Sequence, residues 1–453
     1  MMCEKFTGRP FPVKFFQYNG SEYCLDPCKP KILRVTPEVR QVLEYMQQSD
    51  SPAHEHIKTQ GSAVTEQIAK IQGEGFFNGS LPIVKSDDHA VNRICLIVTS
   101  SCNFRCRYCY YDNDFNNGRN ELMSKEVAIK AVDFLCQNSM NKLLEIDFFG
   151  GEPFLNFGII KTVVEYCATK SRRFTYYVTT NGSLITSDIA AFLKQNNFTV
   201  IVSLDGPEDV HNHVRQFAGG QPTFDNVLHG LSILKAALPV EKLTVNAVVT
   251  KNYPHADKLL NFFHGIGISR LAITTATVPE KPDIHMANDS MKTFTLSEKQ
   301  IFSRMLDSSI SNDTKYLPIL QYMRFLNKGI PRPYRCSVGR GTLSINLDGT
   351  IYACHRFVGM SDFALGNLWD GVEETRRKRY FNLHEQVDKT CTGCWARYVC
   401  GGPCIYDSFA CYGNIQTPAP YKCDRIRNLI ELSAIIYGEL ATHDKSRLVG
   451  LLS

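Results

Sequence analysis

Long apolar stretches are missing from this sequence: no run reaches the length of about 18 residues that suggests a transmembrane helix. The N-terminal stretch MMCEKFTGRPFPVKFF has neither a long apolar segment nor a cleavage site of small residues, so we expect no secretory signal peptide. Charge is nearly balanced, with a formal net charge of +5 over 453 residues. These features predict a protein without a membrane span and give no case for nucleic-acid binding.

Cysteine, by contrast, is abundant, with 17 residues, and it is unevenly distributed. A secreted disulfide scaffold would be short and rich in cysteine throughout. Here the cysteines concentrate at 102–109 and at 336–423, which in a long chain without a signal peptide is typical of metal sites. We therefore expect a cytoplasmic protein in a reducing, low-oxygen compartment.

The stretch TSSCNFRCRYCYY (99–111) places three cysteines, Cys102, Cys106 and Cys109, at CxxxCxxC spacing. Structural zinc sites close with four ligands, usually supplied as two pairs of cysteines. A [4Fe–4S] cluster also has four metal positions, so three local thiolates leave one iron open for another ligand. The motif favours an iron–sulfur cluster, and a zinc site or an incidental grouping is the alternative.

Strands and helices alternate around this loop. The β-branched run before it predicts a buried parallel strand. The predicted strands are 93–100, 145–150, 174–180, 198–206, 242–250 and 269–276. The predicted helices between them are near 124–139, 157–170, 186–196, 224–237 and 255–265. Six such units predict an α/β fold, a partial (β/α)6 TIM-like barrel in which the loops after the strands carry the chemistry.

These features resemble the radical S-adenosylmethionine (SAM) superfamily over residues 90–280. The resemblance rests on the CxxxCxxC loop and on the stretches GGEP (150–153), TTNG (179–182) and SLDGPEDVHNHVR (203–215). It implies a [4Fe–4S] cluster on the three cysteines, with SAM on its open iron. The residues that it implies near SAM are Tyr108, Gly150, Gly151, Glu152, Pro153, Asn181, Ser203 and Arg215.

Within that set the resemblance implies specific roles. Glu152 supplies a carboxylate for the amino group of SAM, and the neighbouring glycines let the backbone approach the ligand. Asn181 and Ser203 would lie near the ribose or the carboxylate, and Arg215 would pair the SAM carboxylate. As alternatives, Asn181 fits a plain turn and Arg215 a solvated helix position. The sequence does not identify a catalytic acid or base.

The second group of cysteines resembles the SPASM extension of radical SAM enzymes. The stretch DGTIYACHRF (348–357) predicts a hairpin turn and a strand that delivers one of them. A zinc ribbon is the alternative for the closely spaced pair at 391–394. The resemblance implies two auxiliary [4Fe–4S] clusters. The first would take Cys336, Cys354 and Cys404, and the second Cys391, Cys394, Cys400 and Cys423.

The first auxiliary cluster is then one ligand short. Fully ligated family members carry another cysteine shortly before the one matching Cys336, whereas here no cysteine lies between Cys167 and Cys336. The resemblance implies an open iron, unless Cys411 fills it, and an open iron favours capture of a substrate thiolate.

Sulfatase-maturing relatives carry aspartate directly after the cysteine matching Cys354. Here that residue is His355, for which we expect a packed or surface position rather than a role as a base.

The N-terminal stretch 11–48 predicts a hairpin around Asn19-Gly20, a third strand and a helix that begins after Thr36. This pattern resembles the winged-helix-like peptide-recognition domain of maturases of ribosomally made peptides. Such domains add a leader peptide to the edge of their β-ribbon. An oligomerising or capping role is the alternative. The polar stretch 49–65 predicts a linker.

Three domains are predicted along the chain. They are a leader-recognition domain with its linker at 1–85, the barrel with a bridging region at 86–325, and a SPASM domain with two auxiliary clusters at 326–453. In the bridging region we expect an irregular segment at 276–295 and a helix at 296–310. A final helix is expected at 424–448.

The predicted function is modification of a cysteine-containing precursor peptide that carries a leader. The reaction is hydrogen abstraction from a peptide carbon and bond formation to a cysteine sulfur, which gives a thioether crosslink. The predicted cofactors are three [4Fe–4S] clusters and SAM, with an electron donor such as flavodoxin or ferredoxin and no nucleic-acid or membrane partner. The alternatives are a carbon–carbon crosslinking or oxidising maturase, an anaerobic sulfatase-maturing-type enzyme, and a non-catalytic iron–sulfur electron carrier.

Overall fold

Two β-sheets organise the chain, which is described here from a computed structural model. The described residues are 13–48, 61–76, 90–111, 121–307, 315–332, 334–381 and 389–452. Within them, no helix combines the length and the apolar composition that crossing a membrane requires.

The N-terminal sheet is antiparallel, in the order β1-β2-β3. Its unit comprises β1 (Lys14–Tyr18), β2 (Ser21–Asp26), β3 (Lys31–Val35), α1 (Pro37–Gln48) and α2 (Ser62–Gly73). Asn19 and Gly20 both have positive φ, which is the backbone shape of a tight hairpin turn. Thr36 caps α1 by accepting a hydrogen bond from the Val39 amide over 3.3 Å. The predicted hairpin, strand and helix are therefore present.

The linker predicted at 49–65 is only partly described. Residues 62–65 belong to α2, so the prediction of a loop is wrong there. The helix buries Val64, Ile68 and Ile71, whose spacing gives it an apolar face. Residues 49–60 lie outside the described part of the chain.

The central sheet begins with six parallel strands in chain order. They are β4 (Arg93–Thr99), β5 (Leu143–Gly150), β6 (Arg173–Thr180), β7 (Thr199–Ser203), β8 (Leu243–Val249) and β9 (Arg270–Thr275). The helices between them are α3 (Lys125–Gln137), α4 (Phe157–Ala168), α5 (Ser187–Gln195), α6 (Glu208–Val214), α7 (Phe224–Ala237) and α8 (Ala256–Gly265). All six predicted strands are present, and the predicted α/β class with a partial parallel barrel is confirmed.

The sheet extends beyond the six strands on both sides to eleven strands. On one side β10 (Lys315–Tyr316) pairs with β9, and on the other β11 (Thr342–Ile345) pairs in parallel with β4. The antiparallel continuation is β12 (Thr350–Tyr352), β13 (Ala364–Asn367) and β14 (Gly371–Val372). The cysteine-rich region is thus joined to the barrel through backbone hydrogen bonds next to the strand that carries the CxxxCxxC loop.

The bridging and C-terminal regions are mostly helical. Their helices are α9 (Asn288–Leu306), α10 (Leu317–Lys328), α11 (Glu374–Phe381), α12 (Lys389–Thr392), α13 (Arg397–Cys400), α14 (Ile405–Tyr412), α15 (Pro420–His443) and α16 (Lys445–Leu452). Short 3-10 turns lie at Pro153–Asn156, Val240–Lys242, His355–Phe357 and Ser361–Phe363. The bridging helix begins eight residues earlier than predicted, because Met291 and Phe294 are buried and draw its first turns into the core.

The N-terminal sheet packs against α15. The Tyr23 ring lies on this helix at Gly438, where a Cβ would come within 2.6 Å of the ring, and the Tyr23 hydroxyl donates to Glu439. Phe16 contacts Trp395 edge to face, with ring centroids 6.0 Å apart. The sheet therefore rests on the cysteine-rich region as well as on the helix.

Candidate functional site

The CxxxCxxC loop follows directly on β4. Its three cysteines are half-buried, and the Cys109 amide donates to the Cys106 carbonyl over 3.0 Å. Burial, together with the charge of Cys109, raises the pKa of Cys102 and of Cys106 to about 12. The structure thus brings the three thiols together in surroundings that disfavour thiolates unless a cation is present.

The GGEP stretch lies against this loop at the end of β5. A Cβ on Gly150 would come within 2.3 Å of the Thr99 carbonyl oxygen, and one on Gly151 within 2.1 Å of the Ser101 carbonyl oxygen. Gly150 also has a φ of +143°, which side chains rarely adopt. The two glycines therefore allow the backbones of the two loops to touch.

The Glu152 carboxylate is fully buried where β5 and β6 end. It accepts hydrogen bonds from the Thr180 hydroxyl and the Asn181 amide, each over 2.7 Å, and from the Phe154 amide over 3.3 Å. Burial outweighs these bonds and raises the pKa of Glu152 to about 7. Pro153 starts the 3-10 turn that follows and helps to fix the position of the carboxylate.

Asn181 ties the loop after β6 to the cysteine loop. Its side-chain amide donates to the Asn103 side-chain oxygen over 2.8 Å, and the Asn103 amide donates to the Ser183 hydroxyl over 2.9 Å. Ser203, the last residue of β7, is buried at the same edge of the sheet. These residues lie together at the carboxyl ends of the parallel strands, where barrel enzymes hold their ligands.

Asp205 was not singled out from the sequence, yet it organises one side of the site. Its Oδ2 accepts from the Tyr108 hydroxyl over 2.5 Å and from Arg215 Nε over 2.9 Å, while its Oδ1 accepts from the Val248 amide over 2.9 Å. Arg215 Nη1 lies 3.7 Å from the Cys106 Sγ. Arg215 is therefore a buried, ion-paired residue rather than a solvated one. The sequence signal that could have identified Asp205 is the SLDG stretch, which contains it.

The C-terminal cysteines fall into two neighbourhoods. Burial raises the pKa of Cys354 to about 12, with added effects from the charges of Cys404 and Cys336. Burial likewise raises the pKa of Cys423 to about 12, and the charges that add to it come from Cys400, Cys391 and Cys394. The structure thus places near one another the thiols that the resemblance assigns to each auxiliary cluster.

Cys411 and His355 take other positions. The Cys411 Sγ lies 3.4 Å from the Tyr421 hydroxyl. His355 packs against Phe149, with ring centroids 4.8 Å apart, and against Tyr110. Burial, aided by the charge of Arg356, lowers the pKa of His355 to about 3. His355 is therefore a packed, neutral and weakly basic side chain.

The donor set fits iron–sulfur clusters. Among the described residues no group of His, Cys, Asp and Glu is close enough to hold a single metal ion, but a cubane cluster is wider than one ion and takes thiolates alone. Next to the C-terminal thiols, Arg332 Nη1 and Arg335 Nη1 are buried and without a hydrogen-bond partner in the described part of the chain. Orphaned cationic donors beside thiols suit an anionic cluster.

Comparison with known proteins agrees with this geometry. Residues 96–263 match the Radical SAM superfamily. The radical SAM cyclopropyl synthase TigE of Paramaledivibacter caminithermalis is 27% identical, with 90% of this chain and 92% of TigE covered. The serine-type anaerobic sulfatase-maturating enzyme of Bacteroides thetaiotaomicron is 25% identical, with 72% of this chain and 85% of the relative covered.

Solved structures share the fold. The structure of anSMEcpe with bound AdoMet has a TM-score of 0.67 and 21% sequence identity, and covers 78% of this chain and 99% of its own. Streptococcus suis SuiB bound to its precursor peptide SuiA has a TM-score of 0.53 and 14% identity, with 90% and 97% covered. The chain described here therefore carries a radical SAM domain and is related over most of its length to enzymes of that superfamily.

Proposed function

We propose that this radical SAM enzyme forms a thioether crosslink in a cysteine-containing precursor peptide. The observation that carries the proposal is the unequal size of the two groups of C-terminal thiols. The first has three members, Cys336, Cys354 and Cys404, and the second has four, Cys391, Cys394, Cys400 and Cys423. A cluster on the first group would keep one iron for a substrate thiolate, a ligand well suited to iron.

The chain's own residues would hold the cofactors as follows. Cys102, Cys106 and Cys109 would hold the SAM cluster, and Glu152 would accept a hydrogen bond from the SAM ammonium. Arg215, kept in place by Asp205, would face the SAM carboxylate. When bound, SAM and its cluster supply abstraction of a hydrogen atom from a carbon. The buried loop ends keep water from the site.

A peptide partner is supported by the relatives. SuiB has been solved with its precursor peptide, and anSMEcpe with the Cp18Cys peptide. In this chain the N-terminal sheet has two edge strands, β1 and β3, each paired only with β2 among the described residues. An extended leader adding to such an edge would gain backbone hydrogen bonds. In chain order, the three domains would then bind the leader, carry out the SAM chemistry and hold the auxiliary clusters.

The thioether proposal is tested by mass spectrometry. The anaerobically reconstituted protein is incubated with SAM, a flavodoxin or ferredoxin as electron donor, and a cysteine-containing candidate peptide. Replacing one C–H and one S–H by one C–S bond removes two hydrogen atoms, so we expect that mass loss together with a thiol that no longer reacts with iodoacetamide. A two-hydrogen loss with all thiols still reactive would contradict thioether formation.

Carbon–carbon bond formation is the second candidate, because TigE, whose alignment spans 90% of this chain, is named a cyclopropyl synthase. It uses no substrate thiol, so a peptide with every cysteine replaced by serine would still be modified. Sulfatase maturation is disfavoured by His355, a neutral side chain in a packed aromatic environment, at the position where aspartate is expected. That alternative is checked by adding a peptide with a sulfatase motif to the same assay, where we expect its mass to stay unchanged.

A further inference from the structure

Two neighbouring arginines in the cysteine-rich region each keep one donor nitrogen without a partner among the described residues. Arg332 Nη1 and Arg335 Nη1 are both buried, and neither has a hydrogen-bond partner in the described part of the chain. Burial of a guanidinium nitrogen without a hydrogen-bond partner is unfavourable, and two cationic groups three residues apart repel each other. An anion bound next to them would remove both costs.

Arg335 lies where the two groups of C-terminal thiols meet. It lines a small cavity, partly open to solvent, together with Cys336 of the first group and Cys391 of the second. The loop Gly401–Pro403, which connects Cys400 and Cys404, lines the same cavity.

That loop touches the backbone of Arg335. A Cβ on Gly401 would come within 2.5 Å of the Arg335 nitrogen. Gly401 also has a φ of +77°, so the close approach depends on glycine for two reasons. The segment carrying Arg335 and Cys336 is thereby held against the segment that carries one thiol of each group.

We propose that Arg335 is a positioning residue that serves both auxiliary clusters at once, its guanidinium stabilising the reduced state of each. The inference rests on the proposed function, since it needs clusters on both groups of thiols. Reduction adds one negative charge, which a nearby cation favours, and burial prevents salt from screening the attraction. Arg335 therefore raises both reduction potentials and keeps them close together.

The test is a redox titration monitored by electron paramagnetic resonance. The background variant carries Cys102→Ala, Cys106→Ala and Cys109→Ala, so that only auxiliary clusters contribute signals. In this background we compare the protein that retains Arg335 with the Arg335→Gln variant. The control is Arg376→Gln, which also removes one positive charge, but at a half-exposed position paired with Glu373. In R335Q the ratio of reduced to oxidised cluster at a fixed potential should fall about tenfold for both clusters, about 59 mV for one electron. R376Q should match the background.

Equal potentials in R335Q and the background, or a change in only one cluster, would overturn the inference. If R335Q does not load its clusters, a second variant, Arg335→Lys, is used. It and the background protein are both produced with 15N-arginine, and the 15N couplings of their cluster signals are compared. Loss of a 15N coupling from both cluster signals supports the proposed role of Arg335, and unchanged coupling overturns it. Iron content separates the two hypotheses. A background protein without auxiliary clusters refutes the proposed function as well, whereas loaded clusters with potentials independent of Arg335 refute only the proposed role of Arg335.

Discussion

Asp205 accepts a hydrogen bond from Arg215 over 2.9 Å, and both side chains are almost fully buried. Because the same carboxylate oxygen also accepts from Tyr108, one negative charge fixes two groups beside the CxxxCxxC loop. Replacing this charge leaves a buried cation without its partner, which usually costs about 3–5 kcal/mol.

Asp205→Asn should therefore lower the free energy of unfolding by roughly that amount and weaken SAM binding about tenfold or more. Thermal unfolding and equilibrium dialysis with reconstituted protein measure the two effects. Asp133→Asn is the matched control, since Asp133 pairs with Lys170 at a part-exposed position and should change either quantity little. Unchanged SAM affinity in D205N would contradict the assigned role.

Gly151→Ala should remove the SAM cluster selectively. The added Cβ would lie 2.1 Å from the Ser101 carbonyl oxygen, so the cysteine loop must move. We expect loss of about four of about twelve irons per chain, with auxiliary signals retained. Gly158→Ala is the control, because nothing lies within 4 Å of its Cβ position. Full iron content in G151A would show that the loop tolerates displacement.

Glu152 should make SAM binding depend on pH. Burial raises its pKa to about 7, and the SAM ammonium requires the carboxylate form, so affinity should fall about tenfold from about pH 8 to about pH 6. Its contribution to stability has the opposite sign. The folded chain holds the proton more tightly, so this contribution is lost as pH rises from about 4.5 through about 7.

Binding titrations at several pH values check this prediction. Glu152→Gln should bind SAM weakly at every pH, with the pH dependence gone. The exposed Glu165 serves as the control, and Glu165→Gln should keep the wild-type profile. A wild-type affinity that stays constant across this range would rule out titration of Glu152.

Cys336→Ala and Cys411→Ala distinguish the thiols of the first auxiliary site from a neighbour. C336A should lose about four irons per chain, whereas C411A should keep all of them, because Cys411 is hydrogen-bonded to Tyr421. Iron analysis and Mössbauer spectra of the two variants give the comparison. Loss of a cluster in C411A would make Cys411 the missing ligand and remove the main support for a substrate thiolate.

Glu298 should be important for stability and not for cofactor binding. It is fully buried, and its two oxygens accept from Arg425 over 2.8 and 3.0 Å, with a further bond from Tyr316. Glu298→Ala should cost about 3–5 kcal/mol in the free energy of unfolding. The exposed pair of Asp289 and Lys292 offers a control, since Asp289→Ala should cost less than about 1 kcal/mol.

Sequence periodicity predicted all six barrel strands because each contains several β-branched or aromatic residues and pairs within a parallel sheet. It did not predict that β11 would pair with β4, since a four-residue strand gives little local signal and its partner lies far away along the chain. The early start of α9 was missed for a related reason. Its first turn is polar in sequence, and only tertiary contacts bury Met291.

The site residues divide in the same way. Cysteines and the GGEP stretch are visible because their spacing is unusual, whereas Asp205 and Arg335 are single common residues whose importance depends on what folds against them. Gly150 and Gly151 were predicted to lie near SAM, and the structure adds a contact that the sequence did not predict, with the backbone of Thr99 and Ser101. The motif identified these positions, but the contact between the two loops depends on the tertiary fold.

Helix α15 has Cys423 in its first turn, and Tyr23 of the N-terminal sheet rests on Gly438 near its other end. A helix of 24 residues is about 36 Å long and stiff. The N-terminal unit is consequently not an exchangeable module. A chimera that joins a foreign recognition domain to this barrel would also need the matching C-terminal half of α15. Without it, the new domain would lack the helix surface against which the native domain packs.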